Sequence, residues 1–225
     1  SKLEENGLIA HEGKIIDASF VEIPKQRNTR AENKHIKETG TAPKEWNSKP
    51  NKKRQKDIDA LWTKKNNETH YGYKDHVKTD NKYKLIDKYT VTPASVHDSQ
   101  ALDELLDKEK DKNIPLWADS AYTGKEQEKT INNYEMKNNV HEKRTRNKPL
   151  TKKQKESNRE KSKTRARVEH VFGFIEGSMN RLKLNCIGIK RASALISLIN
   201  LTYNMFRYEQ LVRLHGITMS NFKQP

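Results

Sequence analysis

The apolar residues of this chain are concentrated in a few short runs, and two of those runs carry an aspartate. Residues 14–23, KIIDASFVEI, are rich in β-branched and aromatic residues and are closed by Pro24, which predicts a strand containing Asp17. Residues 114–118, IPLWA, predict a second short strand, which Asp119 follows directly. Because an unpaired carboxylate is costly in a buried sheet, both acids require an explanation.

The remaining runs indicate an α/β fold with a mixed sheet flanked by helices. Residues 69–78 and 83–93 predict a hairpin that joins the first strand in an antiparallel meander. Strand alternation places two sets of side chains on opposite faces of the first strand: Ile16, Ala18 and Phe20 on one, and Ile15, Asp17, Ser19 and Val21 on the other.

Helices are predicted after the hairpin and in the C-terminal third. Residues 99–110 carry leucines at helical spacing and have Asp98 or Ser99 as the expected cap, and residues 124–139 predict a polar helix. Residues 140–146 predict a possible edge strand. A T-x-x-Q capping box at Thr151 predicts a long helix from about Lys152, and the last predicted helix, 193–214, is apolar enough to be largely buried.

A long polar insertion, residues 25–68, follows the first strand. It contains 13 Lys and Arg against 6 Asp and Glu, with a short helix predicted near DIDALW. Its tryptophans, Trp46 and Trp62, either stack on unpaired bases or anchor the insertion on the core. We expect residues 1–225 to form one domain, with C-terminal helices at about 152–214.

The charge of the chain points to a polyanionic partner. Its 45 Lys and Arg against 30 Asp and Glu give a formal net charge of +15. Residues 142–191 hold 16 of the basic residues and only five acidic ones, which favours a DNA track over a solvated helix face of alternating sign. No run of 18 apolar residues exists, so no membrane span is expected. The single cysteine, Cys186, excludes an intrachain disulfide and fits a cytoplasmic protein.

Three acids are candidates for a metal site. Asp17 and Asp119 belong to strands, and Glu169 lies beside the apolar stripe of the long helix. Hard oxygen ligands of this kind suit Mg²⁺ or Mn²⁺, and two such ions promote cleavage of a phosphodiester. The residues leave structural alternatives open: strand-end acids also cap helices, Arg165 can pair with Glu169, and Glu176 is a rival acid on the same helical face.

The segments IIDASFVEIP, WTKKNNETHYGYKDHVK, TVTPASVHDSQAL, WADSAYTG and RARVEHVFGF…NLTYNMFR occur in this order. Over residues 14–210 the chain thereby resembles the DDE transposases of bacterial insertion sequences, specifically the insertion-sequence-five family. The resemblance implies an RNase H-like fold and a catalytic triad of Asp17, Asp119 and Glu169 that binds two divalent ions. Tyr122 matches the tyrosine of the D-x-x-Y element, and Arg165 matches the arginine before the glutamate.

The resemblance also implies the partners of the chain, and the sequence differs from the family at two positions. The partners are the duplex DNA of transposon ends and target, bound by a homodimer in the bacterial cytoplasm at the nucleoid. Ser162 and Glu176 stand where related enzymes often carry a tyrosine and a lysine. The N-terminal end-binding region of the family is expected to be absent. The predicted DNA-binding residues are Tyr122, Lys152, Lys153, Lys155, Arg165 and Arg167. A non-enzymatic DNA-binding protein and a metal-dependent nuclease without strand transfer are the alternative functions.

Overall fold

One mixed sheet organises the part of the chain that the computed structural model describes, residues 9–145, 149–179 and 182–215. Within these residues the strand order is β2-β3-β1-β5-β6, and β4 also pairs with β3. Strands β1 to β4 pair antiparallel, β5 lies parallel to β1, and β6 lies parallel to β5. The strands are β1 (Lys14–Glu22), β2 (Leu61–Lys65), β3 (Glu68–Asp80), β4 (Ile86–Pro93), β5 (Pro115–Trp117) and β6 (Lys137–Asn138).

Helices lie on both faces of this sheet. They are α1 (Arg30–Thr39), α2 (Pro50–Arg54), α3 (Leu102–Leu105), α4 (Lys125–Asn133), α5 (Lys152–Arg165), α6 (Glu169–Ser178) and α7 (Ile189–His215). Short 3₁₀ turns occupy Lys44–Ser48, Asp98–Ala101, Ser120–Tyr122 and Ala166–Val168. None of the helices in the described ranges has the length and hydrophobicity needed to cross a membrane.

The alternation predicted for β1 is confirmed by the two halves of the core. Ile15 belongs to the buried cluster formed with α6 and α7, which includes Val171 and Ile175. Ile16 belongs to the cluster on the other face, formed with α3, α4 and Leu116 of β5. Because side chains alternate along a strand, Asp17 shares the face of Ile15 and is directed toward the C-terminal helices.

The register between β1 and β5 brings the two aspartates alongside each other. Lys14 pairs with Leu116 and Ile15 with Trp117, so each β1 residue faces the residue 102 positions later. The same offset separates Asp17 from Asp119. Asp17 and Asp119 lie two residues beyond the last β1–β5 pair, on neighbouring chain segments. The backbones of neighbouring strands are about 4.8 Å apart.

The polar insertion is folded, and its structure corrects one prediction. No helix forms near DIDALW; β2 begins there at Leu61, and the helices of the insertion are α1 and α2. Trp46 is 1% exposed and donates from Nε1 to Glu32 at 2.7 Å. Trp62 packs on the core beside Tyr71. Trp46 therefore anchors the insertion and is not available to stack on bases, whereas Trp62 packs on the core but is only partly buried.

Gly72 marks the place where β3 passes from its pairing with β1 to its pairing with β2. Its φ of +141° is one that L side chains rarely adopt. A Cβ atom at this position would lie 2.3 Å from the carbonyl oxygen of Val21. Only glycine allows the two backbones to approach this closely.

Three further predictions are corrected by the structure. Of the predicted edge strand, residues 140–144 form no strand, Thr145 forms a single β-bridge, and Arg146 lies outside the described residues; the strand beside β5 is β6, earlier in the chain. The predicted long helix is divided, because a 3₁₀ turn separates α5 from α6, although the capping box at Thr151 is confirmed. The last helix begins at Ile189 rather than 193, since the side chain of Asp59 accepts a 2.8 Å bond from the Ile189 N–H.

Candidate active site

Asp17 and Asp119 each use one carboxylate oxygen locally. Oδ1 of Asp17 accepts a 2.9 Å bond from the N–H of Ala18. Oδ1 of Asp119 accepts a 2.8 Å bond from the N–H of Ala121 and thereby caps the 3₁₀ turn that follows β5. Asp119 thus acts as a helix cap, which is the structural role that the sequence left open. This role uses only Oδ1, so Oδ2 is available for another partner.

The environment of Asp17 opposes its ionisation. Burial raises the pKa of Asp17 to about 6, and the charge of Asp119 adds to this rise. The bond from Ala18 and the charges of Arg165 and Lys65 act in the opposite direction and lower the pKa. Two neighbouring carboxylates of this kind form a site that favours a bound cation.

Arg165 is the cation that this site contains. Its Nη1 lies 2.8 Å from Oδ2 of Asp17, and its Nη2 lies 3.3 Å from Oε1 of Glu169. The predicted alternative, an Arg165–Glu169 pair one helical turn apart, is therefore present. The Glu169 side chain is 64% exposed, and Arg165 joins it to Asp17.

No three Asp, Glu, His or Cys residues gather closely enough to hold one metal ion in the described ranges. The structure brings Asp17 and Asp119 together and connects Glu169 to Asp17 through Arg165. The convergence of all three carboxylates on a metal therefore stays a prediction. The donors present are nevertheless carboxylate oxygens, the ligand type that hard divalent cations prefer.

Tyr122 is buried in the core cluster on the α3 and α4 face of the sheet rather than on the surface. Its side chain is 1% exposed, and its hydroxyl has no hydrogen-bond partner among the described residues. Burial raises the pKa of Tyr122, with smaller contributions from the charges of Asp98, Asp17 and Asp119. A buried phenol does not present itself to a duplex, so this structure gives Tyr122 a supporting position in place of the predicted DNA contact.

Helix α5 is attached to the segment after β6 by polar side chains alone, since none of its residues is buried. Asn158 accepts from the N–H of Glu142 at 2.9 Å and donates to its carbonyl at 3.0 Å. The hydroxyl of Ser162 lies 3.3 Å from Nε2 of His141. Lys161 donates to the carbonyl of Val140.

The predicted DNA-binding lysines point away from this attachment. Lys152, Lys153 and Lys155 are exposed in the first turn of α5. Arg167 is also exposed, and it donates to the backbone and side-chain oxygens of Asn81. The helix therefore presents its basic N-terminal turn to solvent while its C-terminal end holds Arg165 at the aspartates.

Sequence reasoning missed a buried ion pair next to this site. Lys74 lies 2.7 Å from Asp98, and Lys65 lies 3.6 Å from the other oxygen of the same carboxylate. The cap of the following turn is His97, not Asp98, because Nδ1 of His97 accepts from the Ser99 N–H. The VHDS motif could have indicated this ion pair, since an acid before a helix either caps the helix or pairs with a basic side chain.

Glu176, the rival acid, lies away from the aspartates. It lines an open cleft of about 660 Å³ together with Ser19, Phe20, His70 and Gly173. Asp75 of β3, a further acid near the middle of the sheet, is fully buried in the core. Neither residue is joined to Asp17 or Asp119 by a hydrogen bond or an ion pair in the described ranges.

Comparison with known proteins identifies the family. Residues 10–205 match the family described as Transposase DDE domain. The transposase for insertion sequence element IS1106 of Neisseria meningitidis serogroup B is 32% identical over 152 residues, which is 68% of this chain and 52% of that protein. A cryo-EM structure of the piggyBac transposase synaptic complex with hairpin DNA superposes with a TM-score of 0.55 at 11% identity, covering 94% of this chain and 50% of that one.

These comparisons confirm the fold class and the family. The piggyBac likeness supports the predicted RNase H-like fold and, at 11% identity, nothing beyond the fold. The chain spans about half the length of the IS1106 relative that it matches. Assignment to the insertion-sequence-five family stays a prediction. Divalent metal ions are general in the matched family. Because the family match extends over 10–205, this chain belongs to the DDE transposase family.

Proposed function

We propose that this chain is the catalytic part of a transposase that cleaves a phosphodiester at transposon ends and joins the freed 3′-hydroxyl to target DNA. One observation carries the proposal: Asp17 and Asp119 come together from neighbouring parallel segments, with Arg165 at the end of α5 and Glu169 at the start of α6 beside them. We also propose that residues 1–225 act as a single catalytic domain.

The proposed catalytic carboxylates are Asp17, Asp119 and Glu169, holding two ions of Mg²⁺ or Mn²⁺. Bound divalent ions would supply an activated water and stabilisation of the leaving oxygen. Oδ2 of Asp17 already faces a positive charge, that of Arg165. This contact supports the assignment, since it marks the carboxylate as a position where a cation is stabilised.

The proposed DNA contacts follow the basic face of α5. Exposed Lys152, Lys153 and Lys155 would bind phosphates, and Arg167 would extend the same path beyond the 3₁₀ turn. Arg165 has a positioning role in this proposal, because it orients Asp17 and Glu169. We further propose that a homodimer binds the transposon ends and that the reaction takes place on DNA in the bacterial cytoplasm.

Substitution of Asp119 by asparagine tests this function. The amide oxygen of asparagine keeps the cap on Ala121, so Asp119→Asn removes the charge and preserves the local hydrogen bond. Metal-dependent cleavage of a duplex with cognate ends should be lost with Mg²⁺ or Mn²⁺, while DNA affinity stays equal or rises slightly, because a carboxylate repels phosphate.

Asp103→Asn is the matched control, since Asp103 is an exposed acid on α3, outside the site. Cleavage by Asp119→Asn at the parental rate would refute the proposed role of Asp119. DNA binding without any cleavage by the parent would support the non-enzymatic alternative, and cleavage without joined products would support the nuclease alternative.

A further inference from the structure

Helix α7 exposes a stripe of large apolar side chains. Every large hydrophobic residue that is exposed in the described part of the chain lies on this helix. The α7 stripe consists of five side chains that are between 39% and 65% exposed: Leu195, Leu198, Leu201, Met205 and Phe206. An apolar patch of this kind, concentrated on one element, is typical of a protein–protein contact.

The orientation of α7 is fixed by its other face, so the stripe cannot turn inward. Asn204 accepts from the Ile86 N–H at 2.8 Å and donates to its carbonyl at 2.9 Å, which binds the helix to the start of β4. Tyr203 is 1% exposed and donates to the carbonyl of Lys84. Ile196 is fully buried. The prediction that this helix is largely buried is therefore wrong for its outer face.

The two ends of the stripe carry opposite charges, Arg191 at one and Glu209 at the other, and the Glu209 carboxylate also lies 3.4 Å from Arg213 on its own helix. Arg191 and Glu209 are both exposed, and both lie in line with the stripe at helical spacing. Arg191 lies nine residues before position 200, and Glu209 lies nine residues after it. Leu195 and Met205 are likewise five residues before and five residues after this position. A helix with this arrangement matches a second copy of itself laid antiparallel.

We propose that the α7 stripe is the surface on which two copies of this chain associate, through antiparallel pairing of their α7 helices about a two-fold axis near position 200. In such an isologous contact, Arg191 of each copy faces Glu209 of the other, and Leu195 faces Met205. The charged ends are about 27 Å apart along the helix. This contact specifies the surface of the homodimer in the proposed function, and the inference rests on that proposed function.

Charge exchange tests the antiparallel arrangement. The mass of the 225-residue chain is measured by analytical ultracentrifugation without DNA, over a concentration series. The parent should dimerise, and Arg191→Glu or Glu209→Arg alone should each weaken the dimer by about tenfold, because like charges then face each other. The double exchange should restore the parental affinity. Leu198→Glu should give a monomer with unchanged helicity by circular dichroism.

Cysteine crosslinking provides an independent measurement. In a chain with Cys186→Ser, Leu201→Cys should form an interchain disulfide on oxidation, since position 201 lies beside the two-fold axis. Leu214→Cys is equally exposed but far from the axis, and it should not crosslink. A parent that stays monomeric at every concentration would overturn the proposal, as would a dimer that is insensitive to these changes. Because no DNA is present, either result is independent of whether the chain cleaves DNA.

Discussion

Arg165 donates a 2.8 Å hydrogen bond to Asp17, a residue 148 positions earlier in the chain. The same guanidinium reaches Glu169 one helical turn further on. A single positive side chain thus bridges two of the three proposed catalytic acids. Because burial and Asp119 disfavour the charge on Asp17, this arginine compensates a carboxylate that the fold has placed in an unfavourable environment.

Removal of the arginine should strengthen cation binding. In Arg165→Gln, Asp17 and Glu169 lose the positive charge that competes for them, so we expect Mn²⁺ to bind several-fold more tightly by isothermal titration calorimetry. Arg159→Gln, an exposed change on the same helix, is the control and should leave the affinity unchanged. Equal affinities for the two variants would show that Arg165 does not compete with a cation at this site.

The lysines of the first turn of α5 should determine the salt dependence of DNA binding. Replacing Lys152, Lys153 and Lys155 by alanine should reduce the slope of log affinity against log salt by about 3, if each binds one phosphate. The control replaces three exposed lysines that lie on α4 and β6 rather than on α5: Lys125, Lys129 and Lys137. Fluorescence anisotropy over a salt series measures both. A slope that changes equally in both triple variants would argue against a track along α5.

Buried Asp75 should make the stability of the chain fall as pH rises. Burial raises the pKa of Asp75 to about 7, against a smaller lowering by Asn200. Because the folded chain holds this proton more tightly than the unfolded chain, where the pKa is near 3.8, stability is lost between about pH 4 and 7.

The corresponding variant is Asp75→Asn, which is isosteric and neutral at every pH. Urea unfolding at a series of pH values should show a smaller loss of stability between pH 4 and 7 for Asp75→Asn than for the parent. Asp103→Asn, an exposed change, should follow the parental curve. Parallel curves for the parent and Asp75→Asn would contradict the shift.

Asp57 should be among the most sensitive positions of the insertion. It is 1% exposed, and its Oδ2 accepts bonds from the Tyr73 hydroxyl at 2.6 Å and from the Gly188 N–H at 2.8 Å. It therefore joins the insertion, β3 and the start of α7. Asp57→Ala leaves these donors unpaired and should lower the free energy of unfolding by about 3 kcal/mol or more.

A double-mutant cycle isolates the bond to the hydroxyl. Tyr73→Phe alone should cost about 1 kcal/mol, and its effect should largely disappear in the Asp57→Ala background, because the partner is already absent. Chemical denaturation of the four proteins measures the coupling. Full additivity of the two changes would mean that the bond contributes nothing to stability.

The attachment of α5 should depend on Asn158. Loss of its two bonds to Glu142 in Asn158→Ala should weaken the contact of α5 with the chain after β6, since no residue of α5 is buried. Hydrogen exchange of the α5 amides should become several-fold faster, while β3 stays protected. Ser157→Ala on the neighbouring position is the control. Unchanged exchange in Asn158→Ala would show that other contacts hold the helix.

Local patterns in the sequence determined much of the fold. The β-branched residues around Asp17 determined the strand and its two faces, and the T-x-x-Q motif determined where α5 begins. The five family-like segments, which occur in a fixed order along the sequence, contain the three candidate acids. These features depend on neighbours within a few residues, and such patterns are visible in a single sequence.

Tertiary structure alone decided how distant groups meet. The β1–β5 register brought Asp17 beside Asp119, and the fold carried Arg165 between Asp17 and Glu169. The insertion became ordered because Asp57 satisfies donors from β3 and α7. The outer face of α7 could not be identified from the sequence, because this helix is apolar on both sides. Only packing against β4 determined that Leu198 is exposed while Ile196 is buried, since burial depends on which neighbours the rest of the chain supplies.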